Sequence, residues 1–169
     1  MGKNSQSKRK ATLAQRALTE SFKFQVWWGR DQRAADIPND SPFLLAEIET
    51  VCGLGLEKDM LCLRDIIQNV KNECGIAPIA DRGTLIGSPM AYLLGISQAN
   101  PMEHERVDMC LAAPSNVELP FQIEVFYDND ARNNVVDWVR EHYEGVTTRL
   151  GQPILKLEKS VIHFKRVVK

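Results

Sequence analysis

Two stretches of the chain carry apolar residues at the three-and-four spacing of an amphipathic helix. Over 57–74 these are Met60, Leu61, Leu63, Ile66, Ile67 and Val70, with Gly75 placed to stop the helix. Over 41–52, Leu44, Leu45, Ile48 and Val51 share one side. There Ser41 followed by Pro42 supplies an N-cap and a first-turn proline, and Gly53 and Gly55 mark the end. A third helix is predicted over 11–23, with Leu13, Ala17, Leu18 and Phe22 on one face. The period changes over 119–127, where alternation and β-forming residues predict a strand. Asp128-Asn129-Asp130 then reads as a turn that caps a helix over 131–143, with Val135, Val139 and Tyr143 on one face. Shorter apolar runs predict strands near 24–28 and at 76–79 and a helix from Ser88 to Leu94. The last run, 154–168, alternates weakly and reads as a helix, with a strand as the alternative.

Residues 1–10, MGKNSQSKRK, are polar and basic without periodicity, so a disordered tail is expected, followed by a single domain over 11–169. Lys8, Arg9 and Lys10 are candidate phosphate contacts within that tail, or simply its solubilising charges. The 169 residues suit one domain. A net charge of −1 excludes a global basic field, so any contact with DNA must come from a local patch. Cys52, Cys62, Cys74 and Cys110 form no C-x-x-C pair and have no histidine at zinc spacing, which suits reduced, structural thiols in a cytoplasmic protein. There is no apolar run of about 18 residues to span a membrane.

The segment richest in chemistry is Arg82-Gly83-Thr84-Leu85-Ile86-Gly87-Ser88. Two glycines flank small hydroxyl residues ahead of a helix, an arrangement that aims backbone N–H groups at an anion, and Arg82 adds a bidentate donor. Arg82, Gly83, Thr84, Gly87 and Ser88 are therefore the candidate phosphate- or nucleotide-binding residues.

The stretch RGTLIGSPMAYLLGISQANPM (82–102) resembles the glycine–serine motif of the C-family bacterial DNA polymerase III α subunits, R-G-S-x-x-G-S followed by an apolar helix with A-Y near its middle. Arg82, Gly83, Gly87, Ser88, Ala91, Tyr92, Ile96 and Pro101 fall in place, and Thr84 replaces a serine. The preceding LLAEIETVCGLGLEKDMLCLRDIIQNVKNECGIAPIADRG and the following NDARNNVVDWVREHYEG and RLGQPILKLEKSVIHFKRV are similar to family segments in the same order, so the resemblance spans roughly 44–168. It implies an α/β fold, the polymerase-β-like nucleotidyltransferase palm, with a small mixed sheet packed with helices. It also implies DNA, nucleotide, or replication proteins such as a polymerase or clamp as partners. Relative to the family the chain reads as truncated, without fingers, thumb or clamp-binding parts.

The family's catalytic strand reads P-D-x-D-x-D-F, and two of its aspartates hold Mg²⁺. Here the strand is Leu119-Pro120-Phe121-Gln122-Ile123-Glu124-Val125-Phe126. Anchoring on Pro120 puts Ile123 and Val125 at the metal positions, whereas anchoring on Arg132 puts Glu124 and Phe126 there; a one-residue slip exchanges the faces of a strand. Neither register keeps two carboxylates, so no catalytic residue and no cofactor are assigned. Mg²⁺ enters only if Glu124 forms a residual site with Asp128 or Asp130, residues that serve equally as a helix-capping turn. Arg132 is a further candidate DNA contact. Trp27 and Trp28 suit base stacking, core packing or a partner surface. His104, His142 and His163 have no partner at a useful spacing.

Overall fold

The computed structural model describes the backbone of residues 2–167 and the side chains of residues 12–167. Five helices and one sheet follow in the order α1 (Gly2–Arg33), α2 (Pro42–Leu54), α3 (Glu57–Cys74), α4 (Pro89–Leu94), β1 (Phe121–Asp128), α5 (Asn129–His142), β2 (Val146–Arg149), β3 (Gln152–Lys156) and β4 (Ser160–Val167). α1 is a single helix where the sequence suggested a tail, a shorter helix and a strand. Phe22 and Val26, four residues apart, are both fully buried, whereas Phe24 is 63% exposed, a pattern of helical and not strand period. Gly29 extends that packed face: a Cβ there would lie 1.8 Å from the carbonyl oxygen of Leu93, so α1 and α4 cross at backbone contact. Residues 2–10 contain no proline to halt a helix already nucleated by this packing, and the backbone stays helical from Gly2. The side chains of Lys8, Arg9 and Lys10 lie outside the described residues.

α2 and α3 run close to their expected bounds. Left-handed Gly55 and Gly75 close them, with φ of 70° and 69°. Met60, Leu63, Ile66, Ile67 and Val70 of α3 are buried, each stabilising by roughly 1.5–3 kcal/mol relative to exposure. Residues 76–79 are extended but not a strand of the sheet; Ile79 N donates to Phe126 O at 2.8 Å, which lays this segment along the outer edge of β1.

The sheet has the order β1-β4-β3-β2, with β1 parallel to β4 and the other pairs antiparallel. The C-terminal run expected as a helix is thus β3 and β4. Ile154, Leu155, Val161, Ile162 and Phe164 are buried there, and β-branched residues pack well on a pleated surface. The β2–β3 hairpin turns through Leu150 and Gly151, both at positive φ (50° and 78°), the geometry of a two-residue primed turn. β1 and β4 pack against α5 through Ile123, Val125, Tyr127, Ile162 and Phe164 on one side and Val135 and Val139 on the other.

One link between α5 and the sheet explains a residue singled out from sequence. Leu157 N donates to Ser160 O, and Leu155 stands opposite Ile162, so continuing the antiparallel register past Ile154–His163 would set Pro153 at a hydrogen-bonding position opposite Phe164. Pro153 has no N–H to give. Arg132 Nη1 donates instead to Phe164 O at 3.0 Å and to Gln152 Oε1 at 3.2 Å. Arg132, proposed from sequence as a DNA contact, is only 5% exposed and turned into the fold, supplying the donor that proline removes.

Candidate functional site

Strand β1 decides which side chains face outward. Phe121, Ile123, Val125 and Tyr127 are buried, while Gln122, Glu124 and Asp128 are exposed and Phe126 is half-buried on the same side. The open-face positions include Glu124 and Phe126, the pair that the Arg132 anchor gives, and Ile123 and Val125, the pair that the Pro120 anchor gives, belong to the core. Opposite them on β4, in register, stand His163 beside Glu124 and Lys165 beside Phe126. Glu124, His163 and Lys165, with Gln122, Arg149 and Gln152, line a concavity of about 720 Å³ across the sheet. Gln122 Oε1 lies 2.6 Å from His163 Nε2. Partial burial and the neighbouring Lys165 push the His163 imidazole below its ordinary range, so the ring is neutral near pH 7.

The donor set on this face does not fit the pair of Mg²⁺ ions that the family strand holds. Hard cations take oxygen ligands from converging carboxylates. Here Glu124 is followed on the open face by the ring of Phe126, opposite the Lys165 ammonium, and only then by Asp128. At a strand rise of roughly 3.3 Å per residue, Asp128 is about 13 Å from Glu124, too far to share one ion. Asp130 lies in the first turn of α5, beyond the strand. Among the described residues no three His, Cys, Asp or Glu side chains converge on a metal-sized site.

The glycine loop lies beside this face. Thr84 N donates to Glu124 O at 3.1 Å, and Glu124 N donates to Thr84 Oγ1 at 2.8 Å, so the loop is bonded to the edge of β1 at the residue that faces the concavity. Gly83 adopts φ 120°, a conformation open to glycine, where its missing Cβ would meet Glu124 O at 2.9 Å. Arg82 projects outward, its side chain 55% exposed, with Asp81 at 3.9 Å.

Ser88 and Gly87 are engaged differently. Ser88 is fully buried and caps α4: its Oγ accepts from Ala91 N at 3.1 Å and donates to Glu47 Oε2 at 2.6 Å. Met90 N donates to Glu47 Oε1 at 3.0 Å. A carboxyl group of the chain itself, from α2, thus occupies the anion position at the start of α4. Glu47 is fully buried, and desolvation pushes its pKa up to about 7, against the opposing hydrogen bonds from Ser88 and Met90. Nearby Asp108 raises it further. Gly87 is buried beneath the chain at Arg106–Asp108: Asp108 N donates to Gly87 O at 2.8 Å, and a Cβ at Gly87 would lie 2.2 Å from the Cβ of Asp108 and 2.8 Å from Arg106 O.

Of the five loop residues singled out from sequence, Gly83 and Thr84 lie against the edge of β1, Gly87 and Ser88 are engaged by Asp108 and Glu47, and Arg82 is exposed beside Asp81. Sequence reasoning passed over Glu47, whose signal was a lone carboxylate between Leu44 and Ile48 on the apolar side of a helix, and over Arg149 and Lys165; His163, read there as lacking a partner at a useful spacing, stands opposite Glu124 and beside Gln122. Trp27 is half-buried and Trp28 is 53% exposed, on the outer surface of α1. His142 stacks on Trp138 with ring centroids 4.0 Å apart. Burial pushes the Cys110 thiol up to about 11.

Residues 20–161 match the family described as the bacterial DNA polymerase III alpha NTPase domain. Among curated proteins the chain is similar to the DNA polymerase III subunit alpha of Aquifex aeolicus, 31% identical over 125 residues covering 72% of this chain and 10% of that protein. It is also similar to the subunit alpha of Staphylococcus aureus strain N315, 29% identical over 98 residues covering 57% of this chain and 9% of that protein. The chain therefore spans about a tenth of the length of these relatives. Among the described residues no helix is long and apolar enough to cross a membrane.

Proposed function

The chain belongs to the bacterial DNA polymerase III alpha NTPase-domain family, and from that premise we propose that it is a non-catalytic palm, a replication-related protein that binds nucleotide or DNA without transferring a nucleotidyl group. The observation that carries this reading is the open face of β1, where Glu124 stands beside Phe126 in place of a second carboxylate. Two-metal phosphoryl transfer depends on paired acidic oxygens that clamp both the attacking and the leaving group. Binding asks for less. Arg82 at the exposed end of the glycine loop, with Lys165 and Arg149 on the adjoining concavity, supplies cationic donors suited to phosphate oxygens.

The test is calorimetric titration of a deoxynucleoside triphosphate in the absence of divalent metal. A measurable affinity that is lost in Arg82→Ala supports the reading; binding unchanged in that variant counts against the loop as its seat.

A second reading, in which the palm shape serves protein contact within a replication assembly, is favoured by one observation. Leu13, Phe24 and Trp28 are 63%, 63% and 53% exposed and lie along one side of α1. Apolar side chains in such a row suit a partner's surface. Co-purification of an identified polymerase or clamp subunit with the native chain, lost in Phe24→Ala/Trp28→Ala, supports this reading, and retention by the double variant removes it.

A further inference from the structure

A second cavity lies on the other face of the sheet. Thr148 and Pro153 are cross-strand partners in the β2–β3 hairpin, and both line a space of about 380 Å³ whose opposite wall is α5, through Arg132, Asn133, Asp137 and Arg140. The adjacent hairpin pair, Arg149 and Gln152, lines the concavity described above instead, so strand alternation separates the two cavities. This second cavity contains a buried cation with no counter-ion. Arg132 is only 5% exposed, and among the described residues no carboxylate forms an ion pair with it. Its acceptors are neutral oxygens: Nη1 donates to Phe164 O and Gln152 Oε1, and Nε donates to Asn133 Oδ1. Nη2 makes no hydrogen bond among the described residues. Burial, and then the like charge of Arg166, push the guanidinium below its ordinary range. Buried charges in proteins are as a rule paired. Satisfying Phe164 O asks for a donor and not for a positive charge, so that bond alone leaves the charge of Arg132 without a purpose.

We infer that this cavity is an oxyanion site, separate from the glycine loop and the sheet concavity, which takes the phosphate group of a small molecule between Arg132 and Arg140. The two arginines stand about two turns apart on α5, roughly 12 Å along its axis. Side chains on a helix lean toward its N-terminus, and Arg140 does so: its Nη1 lies 3.9 Å from Asp137 Oδ1, one turn back toward Arg132. That lean narrows the gap between the guanidinium groups. Asn133 has its oxygen engaged by Arg132, which leaves its Nδ2 as a further donor, and Thr148 adds a hydroxyl. Asp137 is the one carboxylate in the lining. It is largely exposed, and at 3.9 Å its pairing with Arg140 is loose and screened by solvent. Guanidinium groups on two sides of a phosphate give the charge-assisted, planar donor sets that suit its oxygens.

The test is a nuclear magnetic resonance titration of the isotope-labelled full chain with inorganic phosphate, at an ionic strength held constant with sodium chloride, followed at the backbone amides of Asn133, Thr148 and Gly151. It is repeated with glycerol 3-phosphate. The wild type should show saturable shifts at these amides with phosphate and none with chloride. Tighter binding of glycerol 3-phosphate identifies an esterified ligand, and tighter binding of inorganic phosphate identifies the free anion. Arg140→Gln should weaken the binding about tenfold, as loss of a hydrogen bond between charged groups does. Asp137→Asn, which removes the competing carboxylate, should strengthen it severalfold, a gain that a purely structural role for these residues does not give. Both substituted side chains are at least half exposed, so the fold does not depend on them. Arg82→Ala should leave these shifts unchanged, so the outcome is independent of the nucleotide binding proposed above. The inference is overturned if neither probe gives saturable shifts at these amides, or if Arg140→Gln binds phosphate as tightly as the wild type.

Discussion

Ser88 Oγ donates to Glu47 Oε2 at 2.6 Å, forty-one residues away in the sequence, and both groups are fully buried. The serine that the family resemblance offers as a phosphate ligand is here the partner of an internal carboxyl. This pair ties α2 to α4 and gives the fold a pH dependence. Glu47 titrates near pH 7 in the native state against an ordinary value of 4.5. The native state therefore holds more protons than the unfolded chain between these values. The stabilisation is present in full below about pH 4.5 and is lost as pH rises through 7, to an extent on the order of 3 kcal/mol. Denaturant unfolding from pH 4.5 to 8 should show this fall in the wild type relative to Glu47→Gln, whose curve lacks the Glu47 contribution. Parallel curves for the two proteins would remove Glu47 from the account.

Arg132→Ala should destabilise the fold by roughly 1–3 kcal/mol, the cost of a buried carbonyl left without its donor. The same substitution made with Pro153→Ala should cost less than the sum of the two single changes, because an N–H at 153 can then bond to Phe164 O. A double-mutant cycle in urea measures this coupling; strict additivity would contradict the ladder repair described for Pro153.

Leu150 is 96% exposed and held at φ 50°, where a Cβ is crowded and the side chain gains nothing from burial. Leu150→Asn suits the first position of the primed turn ahead of Gly151 and should stabilise by about 0.5–1 kcal/mol in chemical denaturation. A loss of stability would mean that the turn is of another type.

Phe126→Asp would place a second carboxylate two residues from Glu124 on the open face, roughly 6.6 Å along the strand. Mn²⁺ titration followed by electron spin resonance should show binding by this variant that is weaker or missing in the wild type and in Phe126→Asn. Equal Mn²⁺ binding in all three would show that these two positions do not converge as the strand register requires.

Much of this architecture is written in local punctuation. Pro42, Gly55 and Gly75 bound α2 and α3, and strict alternation marks β1, because each of these signals arises from backbone geometry or from one buried face. The sheet beyond β1 is less legible. Leu150-Gly151 lacks the Asn-Gly or Asp-Gly of a typical primed turn, the β3–β4 connection carries Glu158 and Lys159 without a glycine, and Val146–Arg149 is too short to show a period. The aromatic run at Phe24–Trp28 imitates a strand, and only the burial of Phe22 and Val26 against the rest of the fold makes it helical. At the site, the loop and its neighbour β1 were legible from motif order. The closing of Gly87 by Asp108 and of Ser88 by Glu47 was not, since both depend on contacts between distant segments that no spacing encodes.

The central claim, that this palm has kept its fold and lost its paired acidic metal ligands, is tested most directly by primer extension. At high protein concentration, with primed template, all four deoxynucleoside triphosphates and either Mg²⁺ or Mn²⁺, the wild-type chain should add no nucleotide. Extension that is abolished by Glu124→Gln would contradict the claim and place a working metal site on the open face of β1.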